Sequence, residues 1–469
     1  MKPLKKAGQK QSHTRKFLEL LDNYSLLTIL FLISLTNVPI YFIIRHFFSD
    51  DKTIIGLGDS SAYINLAKSL LSGNGYNSLN RPPLYPIVIM FPIKVFGENL
   101  FVLFLINVVF HAVVLLLLIK IARKIFSGKA YLILLTIFLI YPHFIYQVSN
   151  VLTESMFMLL STAVIAVLVL KKINKKSCLA AGILSGLTTL ARPNFLICLT
   201  LVCLYLLFKF YRQNGLKLSL IYLTSSFITI LPWTTYNYFQ TDGKFMLVTN
   251  NASYVFWLGN SFFAMESFFN VRNDVRGGYF GIGPEELRDV PAEYRINPSQ
   301  IKQKPSEGLI KDIYLKQSLG SMKAYPKLFA KLYWIKFSNA LKPWSSTKAR
   351  YDKNMLRALI SGLAFTPILI FGLIGIFLSF RNKINSNTLL LLPVLSGYLT
   401  LVIFFPSQRF RVPLADPFLM VFAAYAINIL YTHIHHIKIE TLKMVFFFDS
   451  ERKLSSFETC IERLSVSLQ

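Results

Sequence analysis

About ten apolar runs, most of them near the length at which a helix crosses a lipid bilayer, constrain the fold of this 469-residue chain more than any other feature. Hydrophobic residues make up 54% of the sequence and charged residues only 16%, whereas soluble domains carry about 25% charge. We therefore predict an all-α polytopic membrane protein with about ten transmembrane helices. The predicted spans are Tyr24–Phe48, Leu100–Ile119, Ala130–Tyr146, Ser155–Leu170, Cys178–Leu190, Phe195–Phe208, Leu218–Phe239, Met355–Phe380, Thr388–Phe405 and Pro413–Tyr431.

The distribution of basic residues predicts the orientation of these spans. Lys and Arg number 50 against 23 Asp and Glu, a net charge of +27, which in a soluble protein would indicate a nucleic-acid partner. Here the cations flank apolar runs, so no nucleic-acid partner is predicted. They concentrate at the N-terminus and in alternate loops, around residues 120–129, 171–176, 209–217 and 381–383. Because cytoplasmic loops are enriched in Lys and Arg, both termini are predicted to be cytoplasmic. The opposite side is called the outer side below.

Two longer regions on the outer side divide the chain. The predicted organisation is a basic cytoplasmic N-terminus at 1–23, a transmembrane module at 24–239 with a first outer loop at 49–99, a small outer (periplasmic) lobe of mixed secondary structure at 240–354, C-terminal transmembrane helices at 355–432 and a cytoplasmic tail at 433–469. The apolar run Pro82–Ile93 is too short to span and is interpreted as re-entrant or interfacial. Pro326–Leu341 is predicted to be a helix that either lies in the membrane interface or packs on the outer lobe.

Charged residues are rare in the short outer loops, and each allows a structural or a functional interpretation. Asp59 could cap a helix that starts beside it, and Glu154 could interact with the dipole of the next span. Arginines at 81, 192, 409 and 411 could extend to the interface as anchors. Together they place carboxylates and arginines on one side of the membrane, where an anionic headgroup with an apolar tail would bind.

The sequence contains no visible Walker, Rossmann or metal-ligand motif, so a nucleotide sugar is not the expected donor. The four cysteines form no readable disulfide framework or zinc site. A divalent metal held by Asp59 and Glu154 is left open, but nothing in the sequence indicates one.

An ordered series of short motifs resembles the GT-C superfamily of integral-membrane glycosyltransferases, in particular the family 39 branch that is similar to protein mannosyltransferases and lipid-A arabinosyltransferases. The similarity runs over roughly residues 20–430, and only the order of the motifs is specific. The matching motifs are Asp59-x-x-x-Tyr63-x-x-x-Ala67, Gly73-x-Gly75-Tyr76, Arg81-Pro-Pro-Leu-Tyr85-Pro86, Phe96-Gly97, Thr153-Glu154, Gly182-x-x-x-Gly186-Leu187, Ala191-Arg192-Pro193, Leu231-Pro-Trp233, Leu258-Gly-Asn260 and Arg409-Phe-Arg411-Val-Pro413 with Pro417.

The resemblance implies an inverting transfer of a sugar from a polyprenyl-phosphate carrier to a lipid, glycan or protein acceptor on the outer face of a bacterial cytoplasmic (inner) membrane. It implies that Asp59 is the general base, with Asp50 and Asp51 as nearby competitors. Arg409 and Arg411 would stabilise the leaving phosphate, and Arg192 and Arg81 are the next candidates. The other expected substrate-binding residues are Tyr63, Tyr85 and Glu154.

One position departs from the family pattern. Relatives often carry Arg-Asn shortly after Pro-Trp, whereas this chain has Tyr236-Asn237. A tyrosine carries no positive charge, so a phosphate or sugar contact made by that arginine is absent here or moved. The substrate is therefore less transferable from the resemblance than the fold.

Other classes of membrane protein remain open. A lipid-linked sugar flippase or transporter would also recognise an anionic lipid, but the predicted spans contain few ionisable residues, Asp416 being the clearest. A polysaccharide polymerase would be expected to rely on an arginine-rich central loop. A non-catalytic scaffold would leave Asp59 as a helix cap only.

Overall fold

A computed structural model describes residues 26–47, 58–126, 128–241, 243–262, 307–342, 355–384, 386–404 and 407–434. All regular elements in these ranges are helical, which confirms the predicted fold class. In chain order the helices are α1 Leu26–Phe47, α2 Gly58–Leu71, α3 Leu84–Phe96, α4 Leu100–Ile125, α5 Ala130–Ile140, α6 Pro142–Val148, α7 Glu154–Leu170, α8 Lys175–Ala191, α9 Phe195–Lys209, α10 Gly215–Gln240, α11 Asn251–Gly259, α12 Glu307–Ala324, α13 Pro326–Leu341, α14 Met355–Arg381, α15 Asn387–Ile403, α16 Gln408–Arg411 and α17 Asp416–Ile434.

Each predicted span coincides with a helix or, in one case, with a bent pair of helices. Four helices (α4, α10, α14 and α17) are long and apolar enough to cross a membrane alone, and α5 with α6 makes a fifth if the bent pair is one span. The pair bends by 58° at Tyr141, directly before Pro142, which begins α6. Four further apolar helices are shorter, namely α3, α7, α9 and α15, and the apolar stretch Leu27–Ile43 of α1 falls in the same class.

The centre of the bundle is built on helices α4, α7, α8 and α10. Helix α8 packs against α7 on one side and α10 on the other, and α4 packs against α7. The α8–α10 contact depends on small residues, because a Cβ atom added at Gly182 would lie 1.9 Å from Ser225 Oγ. At Gly186 it would lie 2.7 Å from the carbonyl oxygen of Ser226. The Gly-x-x-x-Gly motif therefore brings the two helices close together.

A second, smaller core lies at one end of this bundle. Buried side chains of α2, α3, α4, α7 and α8 meet there, including Tyr63, Tyr85, Leu103, Met156 and Ala191. Helix α3 covers most of the run predicted to be re-entrant or interfacial. This core supports the N-terminus of α7 and the C-terminus of α8, where the candidate site is found.

The described part of the region predicted to be an outer lobe consists of α11, α12 and α13. Helix α12 packs against α11 and α13, and α13 packs against α15. Helix α13 has the bounds predicted from sequence, and its buried face includes Lys336, whose Nζ donates to Asn260 Oδ1 at 2.8 Å and to the carbonyl oxygen of Phe404 at 3.1 Å. A Cβ atom at Gly259 would lie 1.6 Å from that same carbonyl oxygen. The Leu-Gly-Asn motif thus joins the lobe to the end of α15.

Several predictions fall outside the described residues. These are the basic N-terminus at 1–23, Asp50 and Asp51, the tail beyond residue 434, and the stretches 263–306 and 343–354 of the lobe predicted to be mixed.

Candidate functional site

Five charged side chains from separate parts of the sequence meet where several helices end. Asp59 lies in the first turn of α2, and its two carboxylate oxygens accept hydrogen bonds from different arginines. Arg81 Nη1 donates to Oδ1 at 2.9 Å, and Arg409 Nη1 donates to Oδ2 at 2.8 Å. The Arg409 guanidinium also reaches Glu154, because its Nε donates to Glu154 Oε1 at 2.8 Å. One arginine therefore bridges the two carboxylates.

Glu154 is the more buried of the two carboxylates. It is the first residue of α7, where the helix dipole favours a negative charge, and its side chain is 4% exposed. Arg192, directly after α8, forms an ion pair with it, with 3.0 Å between Nη1 and Oε1. The Arg192 guanidinium lies over the rings of Phe157 and Phe410, at 5.7 and 5.6 Å from their centroids. Arg192 thus packs inward between aromatic rings.

The turn between α2 and α3 delivers Arg81 to Asp59. Gly73 and Gly75 have φ values of 74° and 72°, a left-handed conformation that glycine adopts without strain. The Tyr76 hydroxyl then donates to the carbonyl oxygens of Arg81 and Pro82. These contacts account for the Gly-x-Gly-Tyr motif, since they close the loop that carries Arg81.

Tyr63 and Tyr85 form the floor beneath this arrangement. Tyr63 lies one turn after Asp59 in α2, and Arg81 is stacked 5.1 Å above the centroid of its ring. The rings of Tyr63 and Tyr85 meet edge to face at 5.4 Å, and both side chains are buried. Both predicted substrate-binding tyrosines therefore lie at the site and pack under its charged residues.

The charges of the cluster do not cancel. Three arginines face two carboxylates, which leaves one positive charge for an added anion. Burial alone would raise the pKa of Asp59, but the hydrogen bonds and charges of Arg409 and Arg81 outweigh that effect and hold the pKa below its ordinary value of 3.8. Asp59 is therefore ionised at neutral pH and engaged by both arginines.

Arg411 lies apart from the cluster, although the sequence gives it the same expected role as Arg409. Its side chain is 2% exposed, and its Nε donates to Asp416 Oδ1 at 3.0 Å. The carboxylate of Asp416 also accepts a hydrogen bond from the Tyr141 hydroxyl at 2.7 Å. Of the four predicted arginines, the structure brings together Arg81, Arg192 and Arg409.

Two buried polar residues of α4 support the N-terminus of α7. Asn107 Nδ2 donates to the carbonyl oxygens of Val148 and Asn150, and His111 Nε2 lies 3.2 Å from Ser155 Oγ. Neither residue was predicted from the sequence. A polar side chain inside a long apolar helix is the signal that could have identified them.

The residue that departs from the family pattern has a supporting contact. The Tyr236 hydroxyl donates to the carbonyl oxygen of Tyr76 at 3.2 Å and so ties α10 to the loop that carries Arg81.

Among the described residues, no group of three or more His, Cys, Asp and Glu side chains is placed to hold a metal ion. Arg409 lies between Asp59 and Glu154 and pairs with both.

Comparisons with known proteins agree with this architecture. Residues 80–236 match the family model described as dolichyl-phosphate-mannose-protein mannosyltransferase. No curated protein matches the chain significantly. The oligosaccharyltransferase of Archaeoglobus fulgidus in its apo form has 15% identity and a TM-score of 0.51, over 90% of this chain and 52% of that one.

Two further solved structures are similar over most of this chain. AglB from Archaeoglobus fulgidus in complex with an inhibitory peptide and a dolichol-phosphate has 14% identity and a TM-score of 0.49, over 89% of this chain and 52% of that one. ArnT from Cupriavidus metallidurans bound to undecaprenyl phosphate has 12% identity and a TM-score of 0.36, over 79% and 73%. The chain spans about half the length of the oligosaccharyltransferase structures that it matches. The family match and the shared fold confirm the resemblance of this chain to the GT-C superfamily of integral-membrane glycosyltransferases.

Proposed function

We propose that this chain is an inverting glycosyltransferase that moves a sugar from a polyprenyl-phosphate donor to a lipid, glycan or protein acceptor at the outer face of a bacterial cytoplasmic membrane. The single observation that carries the proposal is the bridge of Arg409 between Asp59 and Glu154. It belongs to a cluster with one surplus positive charge at the ends of apolar helices. An anionic lipid headgroup attached to an apolar chain fits that setting.

Asp59 is proposed as the general base. Its carboxylate takes the proton from an acceptor hydroxyl while the hydroxyl oxygen attacks the anomeric carbon of the donor sugar. The bond from that carbon to the phosphate oxygen breaks on the opposite face, so the configuration inverts and polyprenyl phosphate leaves. Because the leaving phosphate gains negative charge, arginines next to it stabilise the transition state more than the ground state.

Arg409 is proposed as the main phosphate ligand, since it is the most exposed arginine of the cluster at 46%. Arg81 and Arg192 neutralise the same phosphate from either side. Glu154 orients sugar or acceptor hydroxyls, and Tyr63 and Tyr85 shape the floor under the sugar. Membrane lipid surrounds the polyprenyl chain of the donor.

In the resting site the proposed base, Asp59, is only weakly basic. Both oxygens of Asp59 are engaged by arginines, and a carboxylate with two such partners is a weak base. A phosphate that draws Arg409 to itself releases one oxygen of Asp59. Donor binding would then activate the base for the acceptor.

The experiment measures release of polyprenyl phosphate from a panel of polyprenyl-phosphate sugars by the purified protein in nanodiscs, with a crude membrane extract as the source of acceptor. We expect release by the wild type, and a loss of at least about a hundredfold in Asp59→Asn, as removal of a general base typically gives. Arg409→Gln should also lose release, with weaker donor binding.

Arg212→Gln provides the matched control for charge, because Arg212 is an exposed arginine in the loop before α10. It should retain full release. Release that persists in correctly folded Asp59→Asn would move the base to another residue. Tight lipid binding by the wild type with no release from any donor would support the flippase or transporter instead.

A further inference from the structure

The segment that carries Arg409 is too short to hold its own position. Helix α16 has four residues, and isolated helices of that length are unstable without side-chain contacts. Arg409 reaches out of it to two carboxylates that precede it by 350 and 255 residues. Something else in the structure must fix the backbone from which Arg409 projects.

Arg411 makes buried contacts that fix this backbone. Residues two positions apart on a helix lie on nearly opposite faces, so Arg411 points inward while Arg409 points to the site. Its guanidinium stacks on the ring of Phe365 in α14, 3.4 Å from the centroid, and pairs with Asp416 at the start of α17. Tyr141, at the bend between α5 and α6, donates to the other oxygen of Asp416.

A second contact holds the same segment from the neighbouring position. Gln408 Nε2 donates to Ser361 Oγ in α14 at 3.3 Å, and Ser361 Oγ lies 3.1 Å from His143 Nε2 in α6. Helix α16 is thus attached to α14, to the α5–α6 bend and to α17. These three contacts converge on the residues that flank Arg409.

We infer that Arg411, held by Asp416 and Tyr141, is a positioning residue that places the Arg409 guanidinium between Asp59 and Glu154. It binds no phosphate itself. This inference rests on the proposed function, in which Arg409 binds the donor phosphate. It explains why two arginines of one motif differ in burial, at 46% and 2% side-chain exposure.

The test is a double-mutant cycle on the affinity for undecaprenyl phosphate, measured in nanodiscs with Tyr141→Phe, Arg409→Gln and the double variant. If Tyr141 acts through Arg409, loss of the Tyr141 hydroxyl should weaken the binding of undecaprenyl phosphate about threefold when Arg409 is present. It should have no further effect in the Arg409→Gln background. Asp416→Asn, which disturbs the pair directly, should weaken binding by about tenfold.

Tyr222→Phe is the matched control for general loss of structure. Tyr222 is a buried tyrosine whose hydroxyl lies 2.7 Å from Ser185 Oγ, between α8 and α10. Tyr222→Phe should leave the affinity for undecaprenyl phosphate unchanged, even where it lowers the melting temperature as much as Tyr141→Phe does. Equal weakening by Tyr222→Phe and Tyr141→Phe would reduce the effect to global destabilisation and overturn the inference.

Arg411 Nη2 is buried without a hydrogen-bond partner, so a direct phosphate contact is the rival explanation. In that case Tyr141→Phe and Asp416→Asn would still weaken binding when Arg409 is already Gln, and the inference would be wrong. Failure of the proposed function looks different, since the wild type would then not bind undecaprenyl phosphate or Arg409→Gln would bind it normally.

Discussion

At the scale of single residues, the site depends on how two carboxylates share three arginines. Glu154 is nearly enclosed and keeps Arg192 and Arg409 in place, whereas Asp59 is partly open and meets Arg81 and Arg409. A buried ion pair gains from additional hydrogen bonds, and Arg409 provides them to both carboxylates at once. The cluster is therefore one unit, in which a change at Arg409 alters the environment of both acids.

The pH dependence of catalysis follows from the ion pairs of Asp59. The pKa of Asp59 is lower in the folded protein than its ordinary value of 3.8, so these ion pairs stabilise the fold above that value and are lost as pH falls through the folded pKa. Because kcat/KM reports the free enzyme, it should show no acid limb from Asp59 above about pH 4.

The donor complex should behave differently. Since kcat reports the complex, in which phosphate competes for Arg409, its acid limb should lie at higher pH than that of kcat/KM. Both profiles can be measured as polyprenyl phosphate release between about pH 4 and 8. A limb of kcat/KM near about pH 6 that shifts in Asp59→Glu would contradict the ion-paired resting state.

The sequence was sufficient to name the charged members of this unit, but not to separate Arg409, which belongs to it, from Arg411, which does not. Arg409 and Arg411 share one motif and have the same polar character. What separates them is the packing of α14 and the α5–α6 bend on one side of α16, contributed by Phe365 and Tyr141. Tyr141 precedes Asp416, the partner of Arg411, by 275 residues, and no local pattern encodes that contact.

At the scale of elements, α8 and α10 are in close contact along the Gly-x-x-x-Gly motif of α8. The motif glycines leave no room for a side chain at this interface, because the Cβ position at Gly182 also lies 2.4 Å from the Tyr222 carbonyl oxygen. Larger residues there must push the two helices apart.

Gly182→Leu should therefore destabilise the protein by about 1–3 kcal/mol or more, since overpacking forces backbone shifts. Ala180→Leu, on the exposed face of the same helix, should have little effect and controls for the added leucine. Thermal unfolding of both variants in detergent gives the comparison. Equal melting temperatures would mean that the helices are not in contact at Gly182.

Helix positions were predictable because hydrophobic length marks them, and each predicted span coincides with described helices. The break at Tyr141 was not predicted, although Pro142 could have signalled it, because Ala130–Tyr146 reads as one apolar run. Helix α13 has the predicted bounds, and its buried residues include Phe329 and Leu332, but Lys336 is also buried there. A lysine is assigned to a polar surface unless its partners, here Asn260 and the Phe404 carbonyl, are known.

At the scale of the whole molecule, the charges separate to opposite ends of the central helices. Glu154 and Arg192 lie where α7 begins and α8 ends, whereas Lys171, Lys172, Lys175 and Lys176 lie at their other ends. Both helices have 17 residues, so the two groups are about 25 Å apart at 1.5 Å per residue. An anionic lipid could be attracted to either end, and the proposed function requires the end with Asp59.

The most direct test is therefore to locate the phosphate itself. A polyprenyl phosphate with a photoreactive group next to the phosphate would be cross-linked to the wild-type protein in nanodiscs, and the modified peptides identified by mass spectrometry. The account predicts labelling of the segments around Asp59 and Arg81 and around Arg409, with competition by unlabelled undecaprenyl phosphate. Competed labelling confined to the lysine-rich loops around 171–176 would contradict it.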